Sequence, residues 1–318
     1  MSPDGAALAA RLRERDLDAA PAALNLLESS APDDRREADV MLTALSPGTL
    51  GEEAPGHVIG VTGPPGAGKS TMLSALLAGW RARGRTVALL AVDPSSRRSG
   101  GSLLGDRARI DFDAGDGGVL IRSSAAGERL GGLARSTAAA AAALAVAFDV
   151  VVIETVGVGQ AETDVAEAAD SVVVVVQPGA GDALQFLKSG IMEVPDVLVV
   201  TKADLGQLAL VARRDLTAAL RSLGARSTPV VAISSLPPTS GIEELLDALE
   251  QHRDGVDLAA RRTGARRTRA LREFLAEHGD RGLRELGGRA QAERLLAAED
   301  PGAEVPLLIA ALERSLDG

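Results

Sequence analysis

The sequence contains no cysteine, and aromatic residues make up only 2% of its 318 residues. Without cysteine the chain can form neither a disulfide nor a thiolate metal site. With so few aromatic side chains, alanine, leucine and valine must build the core. A hydrophobic fraction of 46% is ample for that purpose. The composition therefore predicts an ordinary globular chain with an aliphatic core.

Long apolar runs and excess positive charge are also missing. No segment has 18 or more uninterrupted apolar residues, and the first residues show no apolar signal core. The net charge is −10 and the pI is about 5.0. A general nucleic-acid binder needs a basic face, so this balance disfavours that class. We expect a soluble, cytoplasmic protein that binds neither nucleic acid nor membrane.

Lysine is scarce as well. Of 34 basic residues only Lys69, Lys188 and Lys202 are lysines. Because arginine serves almost everywhere else as the surface cation, a remaining lysine indicates a position that needs a compact charge on a flexible stem. Lys69 and Lys202 both fall within the motifs described below.

The chain shows three regions of different pattern. Residues 1–50 predict short amphipathic helices and form an N-terminal helical extension. Residues 51–250 alternate strands with helices, and residues 251–318 predict a C-terminal helical extension. An arginine-crowded stretch opens that last region, a pattern typical of a solvated helix face. The alternative is a surface that contacts an acidic partner or a second subunit.

The middle region predicts a mostly parallel, doubly wound α/β sheet of the P-loop NTPase type. Its strands are continuous β-branched or leucine runs, which indicates burial on both faces. Ligands of such sheets bind outside the carboxyl ends of the strands. The predicted strands are Val58–Thr62, Thr86–Val92, Val119–Arg122, Val150–Glu154, Ser171–Val176, Val197–Thr201 and Val230–Ile233.

The central motif follows the first predicted strand. It reads Gly63-Pro64-Pro65-Gly66-Ala67-Gly68-Lys69-Ser70-Thr71 and fits G-x-x-x-x-G-K-[ST]. Backbone N–H groups of such a loop and the positive end of the following helix form an anion site. We predict that Lys69 reaches the β- and γ-phosphates and that the Ser70 hydroxyl binds Mg²⁺. The alternative is a glycine-rich turn that binds nothing.

Three carboxylates occupy positions that could serve that site. Asp93 follows the second predicted strand, where it would face the phosphates, and Asp106 ends a glycine-rich loop from which it could approach Mg²⁺. Glu154 ends the fourth strand, the place of the second Mg²⁺-organising motif in P-loop enzymes. The Gly157 N–H could sense the γ-phosphate, and Gln160 could orient the attacking water. The alternatives are an ordinary turn residue at Asp93, a flexible loop around Asp106 and a surface loop glutamine at Gln160.

A second pair of motifs points to guanine. Thr201-Lys202-Ala203-Asp204 resembles Asn-Lys-x-Asp, and Ser234-Ser235-Leu236 resembles Ser-Ala-Leu, whose backbone N–H reads guanine O6. The Asp204 carboxylate can accept from both the N1–H and the amine of guanine, whereas adenine offers neither donor. Thr201 lacks the amide of the usual asparagine, which predicts a weaker hydrogen bond between loops. The predicted ligands are GTP and GDP.

In this order, the motifs resemble the MeaB/ArgK type of P-loop GTPase, the chaperones of adenosylcobalamin-dependent acyl-CoA mutases such as methylmalonyl-CoA mutase. The resemblance covers about residues 57–245. Besides the phosphate loop, it is carried by Ala91-Val92-Asp93-Pro94-Ser95-Ser96, Gly101-Ser102-Leu103-Leu104-Gly105-Asp106, Leu130-Gly131-Gly132 and Glu154-Thr155-Val156-Gly157-Val158-Gly159-Gln160.

The resemblance implies a Mg²⁺-dependent GTPase that gates cofactor loading or protection of a mutase. The sequence shows no obvious arginine finger, so we expect slow intrinsic turnover and a partner that completes the site. It assigns Asp93, Asp106 and Glu154 as the Mg²⁺-organising carboxylates. It also implies switch I at 93–106, switch II at 157–162, and a further switch at 179–188 that communicates with the mutase and includes Lys188. A homodimer through the C-terminal extension is implied too, although the region after about residue 255 departs from the family pattern.

Other functions stay open on sequence grounds. GTP-dependent metallochaperones of the nickel-insertase type share the fold, but they typically carry cysteine or histidine ligands. This chain has no cysteine, and His57, His252 and His278 are scattered along it. A transport-regulator kinase is a further alternative, yet no segment resembles a protein-kinase catalytic loop. The last alternative function is a binding module that does not hydrolyse the nucleotide.

Overall fold

The computed structural model describes residues 3–93, 110–125, 135–155, 160–179 and 195–316. The chain divides into two compact units. The first consists of Met1–Pro55, Ala142–Ala147 and Asp257–Gly318, and the second of Gly56–Ala141 and Phe148–Val256. The helices near both ends of the chain thus belong to one unit.

The second unit is built on a parallel sheet. Within the described residues it has seven strands in the order β3-β2-β4-β1-β5-β6-β7, and every neighbouring pair is parallel. The strands are β1 His57–Thr62, β2 Val87–Asp93, β3 Val119–Ala125, β4 Val150–Glu154, β5 Ser171–Val176, β6 Val197–Val200 and β7 Val230–Ala232. The predicted doubly wound P-loop NTPase fold is therefore confirmed, with strand ends shifted by at most three residues.

Helices cover both faces of this sheet. The helices of the second unit are α5 Lys69–Ala82, α7 Gln160–Ala168, α8 Gln207–Ser222 and α9 Ile242–Gly255, and α6 Arg135–Ala147 begins there. Alternate residues of β5 point to opposite layers: Val173 and Val175 pack with α5 and α9, whereas Val174 and Val176 pack with α8. This two-sided burial explains the continuous valine runs, since neither face meets water.

A row of aspartates closes the edge of the sheet where the strands begin. Asp149, Asp170 and Asp196 immediately precede β4, β5 and β6, and each accepts a backbone N–H from a neighbouring strand or its flanking residue. The donors are Thr86, Val58 and Val172, each 2.8 Å from a carboxylate oxygen. Each aspartate thus satisfies a donor at a strand start that would otherwise need water.

The same edge brings two histidines together. His57 Nε2 lies 2.7 Å from Ser171 Oγ, which lies 2.7 Å from His252 Nδ1. His252 Nε2 in turn lies 3.1 Å from Asp196 Oδ1. Two of the three histidines that are scattered in the sequence therefore share one hydrogen-bonded chain, which ties β1, β5 and α9 together.

The first unit is helical. Its helices are α1 Gly5–Arg13, α2 Ala20–Glu28, α3 Pro32–Ala44, α4 Pro47–Leu50, α10 Leu258–Glu285, α11 Arg289–Ala298 and α12 Val305–Arg314. The helix α10 is interrupted at Gly279, which has a φ of 63°. A core from α10, α11 and α12 surrounds Phe274 and Leu308. None of the helices in the described ranges is long and apolar enough to cross a membrane.

The arginine-crowded start of α10 is only partly a solvated face. Arg266 is buried, so the sequence-based interpretation is wrong for this residue. Its guanidinium binds both carboxylate oxygens of Glu53, at 3.1 and 2.7 Å, and donates to the Pro301 carbonyl at 2.8 Å. The planar guanidinium of arginine can form this bidentate contact with a carboxylate, whereas a lysine ammonium could not.

Candidate nucleotide site

The phosphate-type loop joins the end of β1 to the start of α5. Gly63 approaches β5 so closely that a Cβ there would lie 2.1 Å from the Val175 carbonyl oxygen. Gly68 caps the helix with a φ of 90°, a left-handed conformation that favours glycine. Pro65 and Gly66 are exposed at the tip of the loop, whereas Ala67 is buried. The glycine spacing of the motif thus follows from backbone geometry.

The Lys69 ammonium lies inside this loop. The side chain is buried, and its Nζ donates to the carbonyl oxygens of Gly63 at 2.7 Å and Pro64 at 3.2 Å. Lys69 is also the first residue of α5, so its charge adds to the positive end of the helix. Buried cations at a helix N-terminus are a strong attraction for an anion, because little water screens them.

A hydroxyl and a carboxylate face each other beside the loop. Ser70 Oγ donates to Glu154 Oε1 at 3.4 Å, although the two residues lie 84 positions apart. The sheet order causes this proximity: β4 is the direct neighbour of β1, with Glu154 paired to Val61. Glu154 is buried. Hydroxyl and carboxylate oxygens are the ligands that Mg²⁺ prefers, so this pair fits that ion.

Two further hydroxyls are buried around the same strand ends. Thr62 is the last residue of β1, and Thr155 directly follows β4. The side-chain hydroxyl of neither residue has a hydrogen-bond partner among the described residues. Unsatisfied buried hydroxyls are costly and therefore rare. They fit a site that gains polar contacts from a ligand. Neither residue was assigned a site role from the sequence, although each adjoins a predicted site residue.

The second pair of loops lies next to the phosphate loop. Thr201 follows β6, is buried, and shares its hydroxyl between the Ala67 carbonyl at 2.6 Å and the Val176 carbonyl at 3.1 Å. The expectation that Thr201 weakens the link between the loops relative to asparagine stays a prediction. A hydroxyl replaces the amide as the donor, and it bonds the phosphate loop directly.

Lys202 makes a second link between these loops. Its backbone is left-handed, with a φ of 54°, a conformation uncommon for residues other than glycine. The Nζ lies 3.5 Å from the Gly66 carbonyl and 2.5 Å from Gln177 Oε1. Gln177 directly follows β5, and the sequence analysis missed it. Its position after a strand end was the signal that could have identified it.

Asp204 and Ser234 stand at the outer side of this arrangement. Ser234 Oγ lies 3.3 Å from both Asp204 Oδ1 and the Leu236 carbonyl. A pair of backbone hydrogen bonds of 3.0 Å between Ser234 and Ser240 fixes the loop. Asp204 and Leu236 are exposed, and Ser235 is half-buried. An exposed carboxylate held by a neighbouring hydroxyl is free to accept further donors from a base.

The structure thus collects these candidate residues at the carboxyl ends of β1, β4, β5, β6 and β7. Thr71 continues into α5 with its side chain exposed. For Asp93 and Gln160 only the backbone is described: Asp93 ends β2 and Gln160 begins α7. Asp106, Gly157 and Lys188 lie outside the described residues, as do most of the three segments interpreted as switches.

A glycine-rich loop joins the first strand to its helix, and two loops with guanine-recognition motifs lie at adjacent strand ends. Together these features define a P-loop GTPase. The comparisons with known proteins give the family. A family model described as "Methylmalonyl Co-A mutase-associated GTPase MeaB" matches residues 20–285. The chain belongs to this MeaB family, whose members hydrolyse GTP, and it is a GTP hydrolase of that class.

Individual relatives agree with this assignment. A probable GTPase of Mycobacterium tuberculosis is 42% identical over 252 residues, which cover 77% of this chain and 74% of the relative. A mouse protein named methylmalonic aciduria type A homolog, mitochondrial, is 36% identical over 80% of this chain and 65% of its own length. Among solved structures, one titled LAO/AO transport system kinase has a TM-score of 0.66 and 26% identity, covering 99% of this chain and 98% of that one.

Proposed function

We propose that this chain is a Mg²⁺-dependent GTPase that acts as a chaperone and gatekeeper for an adenosylcobalamin-dependent acyl-CoA mutase. The observation that carries the proposal is the match of residues 20–285 to a family named for its association with methylmalonyl-CoA mutase. The geometry of the candidate site supports the nucleotide half of the proposal, and the mouse relative's name supports the mutase half.

In this proposal the phosphate loop holds the triphosphate. The N–H groups of Gly66, Gly68 and Lys69 and the helix N-terminus receive the β- and γ-phosphates. The Lys69 ammonium exchanges the carbonyls of Gly63 and Pro64, which it now contacts at 2.7 and 3.2 Å, for phosphate oxygens. That exchange places a desolvated positive charge where negative charge develops during hydrolysis.

The proposed metal ligands are Ser70 and Glu154, with Asp93 and Asp106 completing the set. When bound, Mg²⁺ would neutralise charge on the β- and γ-phosphate oxygens. Water attacks the γ-phosphorus in line, the bond to the β,γ-bridging oxygen breaks, and GDP and phosphate leave. The Gly157 N–H contacts the γ-phosphate in this scheme, and Gln160 orients the water. The nucleotide is therefore the reactant, and the protein supplies position and charge.

Base recognition rests on Asp204. Its carboxylate accepts from the N1–H and the exocyclic amine of guanine, while the Lys202 stem lies along the base plane and a backbone N–H of Ser235 or Leu236 donates to O6. Adenine presents no hydrogen at N1 and no amine at C2, so Asp204 would be left without donors. We therefore propose selectivity for GTP and GDP over ATP and ADP.

The mutase half of the proposal is tested by capture. The full chain is immobilised with GDP or with a non-hydrolysable GTP analogue, and purified methylmalonyl-CoA and isobutyryl-CoA mutases are passed over it. We expect one mutase to bind with a nucleotide-dependent affinity and to raise GTP turnover. Absence of binding by every mutase in both nucleotide states would remove the chaperone role while leaving the GTPase intact.

The same preparation separates the alternatives. The solved relative titled a transport system kinase makes phosphoryl transfer the competing reaction. Labelled γ-phosphate that appears only as inorganic phosphate supports hydrolysis, and label on a protein acceptor supports a kinase.

A cytoplasmic location and a homodimer through the C-terminal extension belong to the proposal as well. Light scattering of the full chain with and without nucleotide tests the dimer.

A further inference from the structure

A cluster of possible ligand atoms lies in the first unit, apart from the nucleotide site and from the function proposed above. Glu277 and His278 lie on α10, and Glu313 lies on α12. One ligand atom from each residue lies within 4.8 Å of the other two. His278 Nε2 is 3.0 Å from Glu313 Oε1. Ligand atoms that share one metal ion are separated by distances of this order, about 3 to 4 Å.

The imidazole of this cluster is held in place from two sides. Its ring stacks on the buried Phe274, with 4.6 Å between the ring centroids and 30° between the planes. On the next turn, Gly282 leaves the room that His278 needs, since a Cβ there would lie 2.5 Å from His278 Cβ. An imidazole with a fixed orientation loses less freedom on binding a metal than a mobile one.

The charge of the cluster is unbalanced. Among the described residues, the Glu277 side chain has no hydrogen-bond or ion-pair partner, and the Glu313 carboxylate pairs with His278 at 3.0 Å. Further along α10, the Glu285 carboxylate pairs with Arg281 at 2.8 Å. The two carboxylates of the cluster offer negative charge that a bound dication would neutralise.

We propose that Glu277, His278 and Glu313 form a binding site for a divalent transition metal, with Zn²⁺ as the best fit. Imidazole nitrogen with carboxylate oxygens suits Zn²⁺ better than Mg²⁺ or Ca²⁺, which prefer oxygen ligands alone. Three protein ligands leave a fourth position for water. The ion would join α10 to α12 just before the break at Gly279 and stabilise the first unit by mass action.

The test is a Zn²⁺ titration of the full chain after removal of metals with a chelator. GDP and excess Mg²⁺ are present throughout, so that Mg²⁺ competes with the added ion at the nucleotide site. We expect one Zn²⁺ per chain by calorimetry and a rise in the melting temperature. His278→Ala and Glu313→Gln should each weaken binding at least about tenfold, the loss expected for one ligand.

A matched control lies on the same helix. Glu285→Gln removes a carboxylate of α10 that pairs with Arg281 outside the cluster, so it should bind Zn²⁺ like the parent chain. Co²⁺ provides a second readout, because its visible d–d bands report the ligands and should change in His278→Ala. No stoichiometric Zn²⁺ binding, or binding and Co²⁺ bands that are unchanged in both cluster variants, would overturn the proposal.

Discussion

The Thr201 hydroxyl donates to the Ala67 carbonyl oxygen at 2.6 Å and thereby joins the base-side loop to the phosphate loop. The two residues are 134 positions apart and both are buried. What joins the two loops is a hydrogen-bond donor at position 201, and the threonine hydroxyl supplies it in place of the usual asparagine amide. Binding of the guanine base and binding of the phosphates should therefore be energetically coupled, because one hydrogen bond restrains both loops.

Removal of this donor should weaken nucleotide binding. Thr201→Val keeps the shape of the side chain but leaves the Ala67 carbonyl without its partner, at a cost of about 1–3 kcal/mol. We expect the Kd for GDP, measured by calorimetry, to rise about tenfold. Thr201→Ser retains the hydroxyl and serves as the control. A valine variant that binds GDP as tightly as the parent chain would show that the bond is not used.

A change at Asp204 should alter the choice of base. Asparagine offers one acceptor and one donor in place of two acceptors, which matches the N1–H and C2 carbonyl of xanthine. We expect Asp204→Asn to lose GTP affinity by about 100-fold or more and to gain affinity for XTP. Competition of both nucleotides against a fluorescent GDP measures this. Equal losses for the two bases would place Asp204 outside the base pocket.

The role of Ser70 can be separated from general effects on α5. Ser70→Ala removes the hydroxyl that lies 3.4 Å from Glu154, so GTP binding should lose its dependence on Mg²⁺. Ser74→Ala is the matched control, because Ser74 bonds the Ser70 carbonyl one turn further along. Titrations of each variant with GTP, in the presence and absence of Mg²⁺, measure this dependence. A Ser70 variant that keeps the full Mg²⁺ effect contradicts the assignment.

Stability should depend on pH through Glu304, which lies in the first unit. Burial raises the pKa of this carboxyl above its ordinary value of 4.5, against the opposing charges of Arg269 and Arg266. The folded state therefore binds the proton more tightly than the unfolded state. This contribution to stability is greatest below pH 4.5 and is lost as the pH rises through the raised pKa.

Replacement by glutamine isolates that effect. Glu304→Gln keeps an acceptor for the Val305 N–H at the start of α12 but carries no charge at any pH. We expect urea unfolding, followed by circular dichroism from pH 5 to 8, to show a smaller decline with pH in this variant. Glu299→Gln, at a more exposed carboxyl, should decline like the parent chain. Parallel curves for all three proteins would show that Glu304 does not titrate in this range.

Much of the second unit could be predicted from sequence because its signals are local. Continuous valine runs identify strands buried on both faces, and the spacing of Gly63, Gly68 and Lys69 identifies the strand–loop–helix junction. The sheet order then places Glu154 beside Ser70, which follows from the fold class. These features depend on residues close in sequence or on a known topology.

Other features depend on contacts that leave no local pattern. Arg266 and Glu53 are separated by 213 positions, and nothing in the arginine-rich segment marks Arg266 as the buried member. Gln177 contacts Lys202 only because β5 and β6 are neighbours. The aspartates before β4, β5 and β6 were visible in the sequence, but their shared role requires the strand register.

Turnover of GTP by the full chain and by Lys69→Ala tests the candidate site most directly. Phosphate release is followed with Mg²⁺ and either GTP or ATP, and calorimetry with GDP is performed on the same samples. The role assigned to Lys69 predicts slow release from GTP, little from ATP, and loss of both GTP turnover and GDP binding in Lys69→Ala. A folded Lys69→Ala protein that binds GDP and hydrolyses GTP at the parent rate would contradict it.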